Sequence, residues 1–375
     1  MILFVSLLAL LAWIYLMGFH GRFWRSSPVL DPDVPSGRAK VVAIVPARNE
    51  AESIRRSLSS LVAQNYPGDF SIILIDDNST DGTGEIAASL AGGRRLKIIV
   101  GLPLPPGWTG KLWAVNQGLN QDEANAADFV LLTDADIVHA PGHLSALVAK
   151  AETDTLDLTS EMVQLHCRTA AERALIPAFV FFFQMLYPFD WVADPRKPFA
   201  GAAGGTMLVS RRALDRIDGV SRIRGDLIDD CALARQIKST GGSLWLGHTA
   251  DAVSIRRYPR WHEVWDMIAR TAYVQLRQSP LLLLGCILAM GLIFLAPPLL
   301  SFFARGLMRW LGVLSWLIMT IVFQPTLRRY RRTPLWGMAL PAVSLFYLAA
   351  TIASAVRHYT GRGGGWKNRV YPSMV

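Results

Sequence analysis

Two carboxylates follow a run of apolar residues near the middle of the chain. Asp134 and Asp136 are separated by one residue and come directly after the segment Phe-Val-Leu-Leu-Thr. Divalent Mg²⁺ or Mn²⁺ prefers hard oxygen ligands, and one or two carboxylates together with substrate phosphates satisfy it. The pattern predicts a site for a metal and a diphosphate, and the alternative is an acidic helix cap before Pro141.

A second pair of acids, Asp229 and Asp230, stands at the start of a helical pattern. An acidic side chain in the first turn can cap the helix and interacts favourably with the helix dipole. Capping by itself accounts for one of these two acids. A carboxylate can also take a proton from an acceptor hydroxyl, which makes Asp230 a candidate general base. Both interpretations stay open at this stage.

Polar clusters end two further apolar segments. The first cluster contains Pro46, Arg48 and Glu50, and the second contains Asp77 within the run Asp-Asp-Asn-Ser-Thr-Asp-Gly. An acidic side chain in such a place can accept hydrogen bonds from a nucleobase or a ribose hydroxyl. The alternative is that Asp, Asn, Ser and Gly only make a turn.

Two cationic segments could serve a diphosphate. Lys111 lies in the first turn of a helix predicted over residues 111–120, where the ammonium and the helix N-terminus both favour an anion. Arg257, Arg260 and Trp261 precede an amphipathic stretch, so that an arginine could hold a departing diphosphate and Trp261 could line an acceptor site. The alternatives are a solvated lysine and an anchor at the membrane interface.

Alternating strands and helices must position these side chains. Short runs rich in Val, Ile and Leu predict buried parallel strands at 40–46, 71–76, 96–100 and 129–133. Helical patterns lie between them, and such alternation predicts a doubly wound α/β sheet whose ligands bind at the carboxyl ends of the strands. The polar clusters fall at those ends.

Part of the chain is predicted to lie in lipid. Apolar residues make up 51% of the 375 residues, more than a soluble domain of this size needs. Four apolar runs are long enough to be membrane spans: 2–19, 281–303, 307–324 and 335–356. Arg22 and Arg25 follow the first run, so the positive-inside rule predicts an uncleaved anchor with the globular part in the cytoplasm.

Charge and cysteine content narrow the partners. The net charge is +9, and Arg residues concentrate beside apolar runs, as at 328–332. Anionic lipid headgroups are therefore a more suitable partner than nucleic acid. Cys167, Cys231 and Cys286 have neither a metal-ligand spacing nor an obvious disulfide pairing, which predicts a cytosolic globular part without a structural metal.

Six elements between residues 46 and 261 together resemble glycosyltransferase family 2, because they occur in the family's order. They are Arg48-Asn49-Glu50, the Asp76-Asp77 loop, the G-K-x-x-A-x-N-x-G run at Gly110, Asp134-x-Asp136, Asp229-Asp230 and Arg257-x-x-Arg260-Trp261. The chain departs from the family at Asp229, where a glutamate is usual, so Asp229 and Asp230 both remain candidates for the base. Within the family, the terminal apolar runs and the tail 363–369 look like the hopene-associated glycosyltransferases, relatives of ceramide glucosyltransferase.

The resemblance implies a fold and an activity. The fold is the type A glycosyltransferase fold, a Rossmann-like doubly wound sheet, here with transmembrane helices at both ends. The activity is an inverting transfer from a UDP-sugar to a hydroxyl of a membrane lipid, with a hopanoid-type lipid as the candidate acceptor and Mg²⁺ or Mn²⁺ as the cofactor. The implied roles are nucleotide-sugar binding for Pro46, Arg48, Glu50, Asp77, Lys111 and Asp134, metal binding for Asp136, base for Asp230, and acceptor or diphosphate contacts for Asp229, Arg257, Arg260 and Trp261.

The predicted organisation has five parts in an inner (plasma) membrane protein. They are an N-terminal transmembrane anchor (1–21), a cytoplasmic glycosyltransferase domain (38–255), an interfacial amphipathic segment (256–279), C-terminal transmembrane helices (280–357) and a basic tail (358–375). The alternatives are a polyprenyl-phosphate glycosyltransferase, a small polysaccharide synthase and a membrane scaffold with a dead nucleotide fold. No sequence feature identifies the sugar or sets the oligomeric state.

Overall fold

The computed structural model of the chain describes residues 1–31, 37–91, 95–361, 365–366 and 369–370. Most of the predicted basic tail, including most of its glycine segment 363–369, lies outside the described residues. The strands of the main sheet are β1 (Val41–Ala47), β2 (Phe70–Asp76), β3 (Leu96–Val100), β4 (Phe129–Thr133), β5 (Ile137–His139), β6 (Leu158–Gln164), β7 (Thr206–Ser210) and β8 (Leu244–Ser254). A short hairpin of β9 (Gly365–Trp366) and β10 (Arg369–Val370) lies near the C-terminus.

Helices precede, interrupt and follow the sheet. Those up to the end of the sheet are α1 (Ile2–Gly18), α2 (Ile54–Val62), α3 (Thr83–Ala88), α4 (Gly110–Leu119), α5 (Asp122–Asn125), α6 (His143–Thr153), α7 (Ala170–Leu186), α8 (Phe189–Ala193), α9 (Arg211–Ile217) and α10 (Asp229–Ser239). Those after it are α11 (Trp261–Gln275), α12 (Pro280–Met290), α13 (Ala296–Phe303), α14 (Gly306–Arg329) and α15 (Leu340–Tyr359).

The sheet is mixed. Its order is β3-β2-β1-β4-β7-β6-β8-β5, and the four predicted strands, now β1 to β4, pair in parallel within one residue of their predicted bounds. In the other half, β7 is antiparallel to β4 and β6, β8 is parallel to β6, and β5 is antiparallel to β8. The parallel half has the predicted α/β arrangement, and the second half contains both antiparallel and parallel pairs of strands.

The first strand shows why the parallel half forms. Every residue of β1 is buried, and successive side chains enter opposite apolar layers. Val42 and Ile44 pack in the layer with Leu112 of α4, while Val45 packs in the layer with Leu58 of α2. A strand covered on both faces needs a continuous apolar run, which is the pattern that predicted it.

Strand direction decides which loops meet. β7 pairs with β4 so that Thr206 lies opposite Thr133, and the start of β7 therefore lies beside the end of β4. The small-residue loop 201–205 that leads into β7 thus reaches the edge where β1, β2 and β4 end. β8 runs parallel to β6, so it starts at the opposite edge of the sheet. α10 leads into that start, and α10 itself therefore begins at the edge where β1, β2 and β4 end.

Four helical segments are long and apolar enough to cross a membrane, by length and composition. They are Ala170–Ala193, Pro280–Phe303, Gly306–Arg329 and Pro334–Tyr359. Three of them correspond to the predicted C-terminal spans. α1 is apolar but has 17 residues and is shorter than these four, so its role as an anchor stays a prediction.

α1 is fastened to the first C-terminal segment by a tryptophan. Pro297 has no N–H, so the carbonyl of Ile293, four residues earlier, loses its usual helical partner. A π-helical turn at Gly291–Leu295 accommodates the interruption. The indole Nε1 of Trp13 donates to the carbonyl oxygen of Ile293 at 2.7 Å, which satisfies the acceptor that the proline left without a partner.

α7 joins the sheet domain to the other helices. Its side chains enter both the sheet core, through Ile176 and Val180, and a third apolar cluster with α1, α14 and α15, through Phe181. The helix therefore packs on two sides, against the sheet core and against the other helices. At its start, Glu172 forms a capping box with Thr169.

The Glu172 carboxylate also holds the segment before α11. It accepts hydrogen bonds from the backbone N–H of Tyr258 at 2.6 Å and from those of Arg168 and Thr169, each at 2.9 Å. The side chain is fully buried. One carboxylate thus fixes the start of α7 and the segment 256–260 to each other.

We expect Glu172→Gln to lower the free energy of unfolding by about 3 kcal/mol, because the amide NH₂ would face backbone donors where an oxygen accepted from them. Denaturant unfolding in detergent measures the change. The matched control is Glu123→Gln, whose carboxylate is exposed and pairs with Lys97 at 2.9 Å, with an expected loss below about 1 kcal/mol. Equal losses in the two variants would contradict this role of Glu172.

Candidate active site

Lys111 joins two acidic segments at the carboxyl edge of the sheet. Thr109 caps α4, so Lys111 lies in the first turn of that helix. Its Nζ lies 2.9 Å from Oδ1 of Asp134, just after β4, and 3.0 Å from Oδ2 of Asp229, at the start of α10. Burial disfavours the charged ammonium, but attraction to Asp134 and Asp229 outweighs burial and raises the pKa of Lys111.

Asp230 lies next to this ion-pair cluster but is held differently. Its Oδ2 accepts the backbone N–H of Gly204 at 2.8 Å, and its Oδ1 accepts that of Cys231 at 2.7 Å. Burial, and then the negative charge of Asp229, raise the pKa of Asp230 to about 6, against the opposing attraction of Lys111. A carboxyl with this pKa can hold and release a proton near neutral pH.

Arg256 bridges two other carboxylates. Its Nε lies 2.7 Å from Oδ2 of Asp136, and its Nη2 lies 2.8 Å from Oε1 of Glu50. Burial disfavours the guanidinium charge, yet Asp136 and Glu50 outweigh it and raise the pKa of Arg256. The chain turns directly after β4, so Asp134 and Asp136 contact different cations although one residue separates them.

The loops after β1 and β2 are bound to each other. Arg48 Nη1 contacts the backbone carbonyl of Asp77 and lies 3.6 Å from its Oδ2, and Asp77 is 1% exposed. Asn49 and Asn78 both have positive φ, near 50° and 54°, and Asn49 exchanges hydrogen bonds with the second loop. The positive φ of Asn49 and Asn78 agrees with the turn interpretation, and the nucleotide-binding interpretation of the two loops stays a prediction.

The segment before α11 places its cations on different sides. Arg257 is exposed, Arg260 pairs with Glu263 at 2.7 Å, and Trp261 is 52% exposed with its ring 6.5 Å from that of Phe346. Among the arginines of this segment, Arg256 is the one that contacts the acidic residues at the sheet edge. The acceptor or diphosphate roles of Arg257, Arg260 and Trp261 stay predictions.

A cleft opens at the same edge. Its polar walls include Lys111, Asp134, Gly204 and Asp229, and Pro46 also lines it. Its apolar walls are Leu112, Val115, Leu132, Met207, Val220, Ile223 and Leu233. A ligand in this cleft would meet an ammonium and carboxylates on one side and apolar side chains on the other.

The residues at the edge fit a divalent cation only in part. Within the described ranges, no group of three or more His, Cys, Asp or Glu side chains is arranged to hold a metal ion. A Mg²⁺ or Mn²⁺ bound with a diphosphate needs one or two protein carboxylates, since phosphate oxygens and waters complete its shell. The Asp136 carboxylate is suitable for this, and the guanidinium of Arg256 already shows that a cation is stable beside it.

Sequence reasoning missed two features of the site. Arg256 was not among the predicted site residues, although it is the arginine that contacts Glu50 and Asp136. The second is the backbone N–H of Gly204, which donates to Asp230, and no side chain at that position indicates this contact in the sequence. The small-residue run at 201–205 was the available indication, since it marks a place where backbone can approach a side chain closely.

Comparison with known proteins gives a family match for the sheet domain. Residues 42–217 match the model of Glycosyl transferase family 2. Over 99 residues the chain is 34% identical to the probable glycosyltransferase YdaM of Bacillus subtilis, and over 107 residues it is 36% identical to the succinoglycan biosynthesis protein ExoW of Rhizobium meliloti. These matches cover 26% and 28% of this chain but 23% and 32% of the relatives, so less than a third of either relative is matched.

Among the solved structures that match, a mannosyltransferase structure resembles nearly the whole chain. It is the mannosyltransferase PcManGT from Pyrobaculum calidifontis in complex with GDP-Man and Mn²⁺, with a TM-score of 0.59 and 19% identity over 95% of this chain and 98% of that one. At this identity the likeness concerns the fold. The predicted type A glycosyltransferase fold is confirmed.

We expect Lys111→Met to destabilise the protein in a pH-dependent way. Without the ammonium, the attraction that opposes burial and the charge of Asp229 is lost, and the pKa of Asp230 in the folded state rises further. A carboxyl group whose pKa is raised in the folded state stabilises that state at pH values below its ordinary pKa. This contribution to the free energy of unfolding is lost as the pH rises through the raised pKa. The loss in unfolding free energy, measured by denaturant titration, is therefore small at about pH 4 and grows to about 3 kcal/mol at about pH 8.

The control for this test is Lys97→Met, which removes an exposed lysine paired with Glu123. Its effect is expected to be below about 1 kcal/mol at every pH, because exposed ion pairs contribute little. A Lys111→Met loss that shrinks as the pH rises would contradict the assigned electrostatics.

Proposed function

We propose, from the glycosyltransferase family 2 domain that residues 42–217 form, that this protein transfers a sugar from a nucleoside diphosphate donor to a hydroxyl group of a membrane lipid. The observation that carries the proposal is the convergence of Asp134, Asp229 and Asp230, from separate stretches of chain, around Lys111 in one cleft. Family membership supports a nucleotide-sugar donor. UDP is the finer proposal and comes from the resemblance of the motifs.

The donor is assigned to the edge between β1, β2 and β4. Pro46, Arg48, Glu50 and Asp77 lie around the ends of β1 and β2, where a nucleoside would find acidic and backbone acceptors. Lys111 in the first turn of α4 suits the diphosphate, because the ammonium and the helix N-terminus both attract anions. Asp134 would then lie between the nucleoside and the departing diphosphate.

Asp230 is assigned as the general base. Its oxygens accept backbone N–H groups, whereas Asp229 is engaged by the ammonium of Lys111. Because the Lys111 ammonium occupies the Asp229 carboxylate and the pKa of Asp230 is raised, the arrangement favours Asp230 over its neighbour. In a single displacement, Asp230 takes the acceptor proton as the oxygen attacks the anomeric carbon and UDP leaves, which inverts that centre.

A divalent cation would be held by Asp136 and the donor diphosphate, and when bound it would neutralise charge on the leaving group. Lys111 supplies positive charge to the same end of the donor. Arg257 and Arg260 are proposed to contact the diphosphate or the acceptor from the segment before α11. Trp261, about half exposed, is proposed to line the acceptor side.

The acceptor is proposed to be a lipid because the candidate membrane helices adjoin the sheet domain. The positive charge near their ends supports a location in the inner membrane with the sheet domain in the cytoplasm. A hopanoid-type lipid is the finest form of the proposal and rests on the resemblance in the terminal segments. The segment boundaries at 21, 38, 255, 279 and 357 belong to the same proposal.

We expect Asp230→Asn to lower kcat at least about 100-fold, because the amide cannot accept the hydroxyl proton. The wild-type rate should rise with pH through about 6, since the base acts only when deprotonated. UDP binding, followed by calorimetry, should persist. The control is Asp215→Asn, an exposed carboxylate paired with Arg211, and transfer by Asp230→Asn at the wild-type rate would remove Asp230 from the mechanism.

The function itself is tested by incubating purified protein with a panel of UDP-sugars and GDP-mannose, together with lipids extracted from the host. Mass spectrometry identifies the product. We expect one glycosylated lipid, loss of the product with EDTA and recovery with added Mn²⁺ or Mg²⁺. Three other outcomes would replace the proposal by an alternative. A polyprenyl-phosphate sugar as product would indicate a polyprenyl-phosphate glycosyltransferase, and a released polysaccharide would indicate a polysaccharide synthase. Donor binding without any transfer would indicate a scaffold with a dead nucleotide fold.

A further inference from the structure

A chain of buried polar side chains lies behind the cleft, separate from the ion pairs of the site. It begins with Thr133 at the end of β4 and continues through His139 on β5 and His143 on α6 to Glu161 on β6. The four residues are between 0% and 4% exposed. Because buried polar groups are costly without partners, the hydrogen atoms along this chain must be arranged consistently.

The arrangement of hydrogens starts at Thr133. Its Oγ1 lies 2.8 Å from the carbonyl oxygen of Gly205 and 3.0 Å from Nε2 of His139. A carbonyl oxygen only accepts, so the hydroxyl hydrogen goes to Gly205 and Nε2 of His139 must donate. Burial, and then the neighbouring His143, lower the pKa of His139, which keeps the ring neutral and leaves its Nδ1 as an acceptor.

The remaining contacts then require one shared proton. Nδ1 of His139 lies 2.9 Å from Nδ1 of His143, so the hydrogen between them belongs to His143. Nε2 of His143 lies 2.6 Å from Oε2 of Glu161. One more hydrogen must lie between these two atoms, on the imidazole or on the carboxyl. The pair therefore holds one proton on which the whole chain depends.

We infer that His139, His143 and Glu161 are positioning residues for the transfer reaction, acting through Thr133. They lie behind the cleft and are not among its walls. Their part is to keep the Thr133 hydroxyl directed at the loop before β7. The inference deepens the proposed function and rests on it.

The link from Thr133 reaches both halves of the site. Asp134 follows Thr133 directly, and Gly205, which accepts the Thr133 hydroxyl, follows Gly204, whose N–H binds Asp230. The Thr133 hydroxyl thus adds, beside the pairing of β4 with β7, a side-chain link between the donor-binding strand end and the loop that holds the base. A displacement of about 1 Å between such groups can lower a rate about 100-fold.

Loss of the shared proton would interrupt the chain. If His143 kept its hydrogen on Nδ1, the lone pairs of its Nε2 and of the Glu161 carboxylate would face each other. If that hydrogen moved to Nε2 of His143, Nδ1 of His139 would lose its donor. Burial raises the pKa of Glu161, so the proton is kept beyond the pH at which an exposed carboxyl loses it. The ordered chain is complete below the ordinary pKa of Glu161 and is lost as the pH rises through the raised pKa.

The charged and titratable groups around Glu161 come from four elements. They are His139 on β5, His143 on α6, His248 and Asp251 on β8, and Arg329 at the end of α14. Asp251 opposes ionisation of Glu161 and Arg329 favours it. In the part of the chain that the structure describes, His143 is the group that forms a salt bridge with Glu161.

Two variants at Glu161 separate the shared proton from mere packing. In Glu161→Gln the amide can donate to Nε2 of His143, so the chain persists without a proton to lose. We expect its kcat within about threefold of wild type, with the alkaline fall in the wild-type kcat profile removed. Glu161→Leu leaves Nε2 of His143 without a partner, and we expect kcat to fall about 10- to 100-fold with the donor KM changed less than about threefold.

The inference is overturned if Glu161→Gln keeps the alkaline fall of the wild type, or if Glu161→Leu, shown to be folded by its thermal unfolding, keeps the wild-type kcat. Thr133→Ser and Thr133→Val form a second comparison. Serine keeps the hydroxyl and should preserve kcat, whereas valine removes it and should reproduce the loss in Glu161→Leu. Equal rates in these two variants would count against the inference in the same way.

A measurement without substrate keeps the two proposals distinguishable. Wild-type protein labelled with ¹⁵N-histidine should show a strongly low-field imidazole proton for the contact between His143 and Glu161, and Glu161→Gln should lack it. Its absence from folded wild-type protein overturns the shared proton whatever the activity. If the resonance is present but no donor and lipid give a product, the proposed function fails instead.

Discussion

The bridge from Lys111 to Asp134 and Asp229 is the interaction on which the site depends. Three carboxylates from two distant segments would repel one another at the sheet edge, and one largely buried ammonium between them makes their convergence stable. The same cation leaves Asp230 outside the ion pairs, where burial and Asp229 raise its pKa. One interaction therefore both assembles the acidic cluster and separates the role of Asp230 from that of its neighbours.

The bridge is possible because of how the strands are directed. A purely parallel sheet would bring only the ends of β1, β2 and β4 together. Because β7 is antiparallel to β4, the loop 201–205 before it lies at that edge. α10 begins at the same edge because β8, which follows it, runs opposite to β7 and parallel to β6. Gly204 and Asp229 thereby line one cleft with Asp134, although Asp134 lies about 70 and about 95 positions before them in the chain.

The helices outside the sheet are tied to the site through a few buried polar contacts. Glu172 joins the start of α7 to the segment that carries Arg256, and Trp13 joins α1 to the helix broken by Pro297. Arg256 in turn bridges Glu50 and Asp136. The start of α7 and the sheet edge are therefore connected through a short series of charged and hydrogen-bonded groups.

The sequence by itself determined the first four strands, the helix at Lys111 and the positions of the acids after β4 and before α10. These features depend on local periodicity and on residue type, which can be read from a short window. Tertiary structure alone decided the partners: Asp134 contacts Lys111, Asp136 contacts Arg256, and Asp230 is held by Gly204. The reason is physical, because a carboxylate binds whichever donor the strand order brings within about 3 Å. No local pattern encodes the direction of β7 or the proton shared by His143 and Glu161.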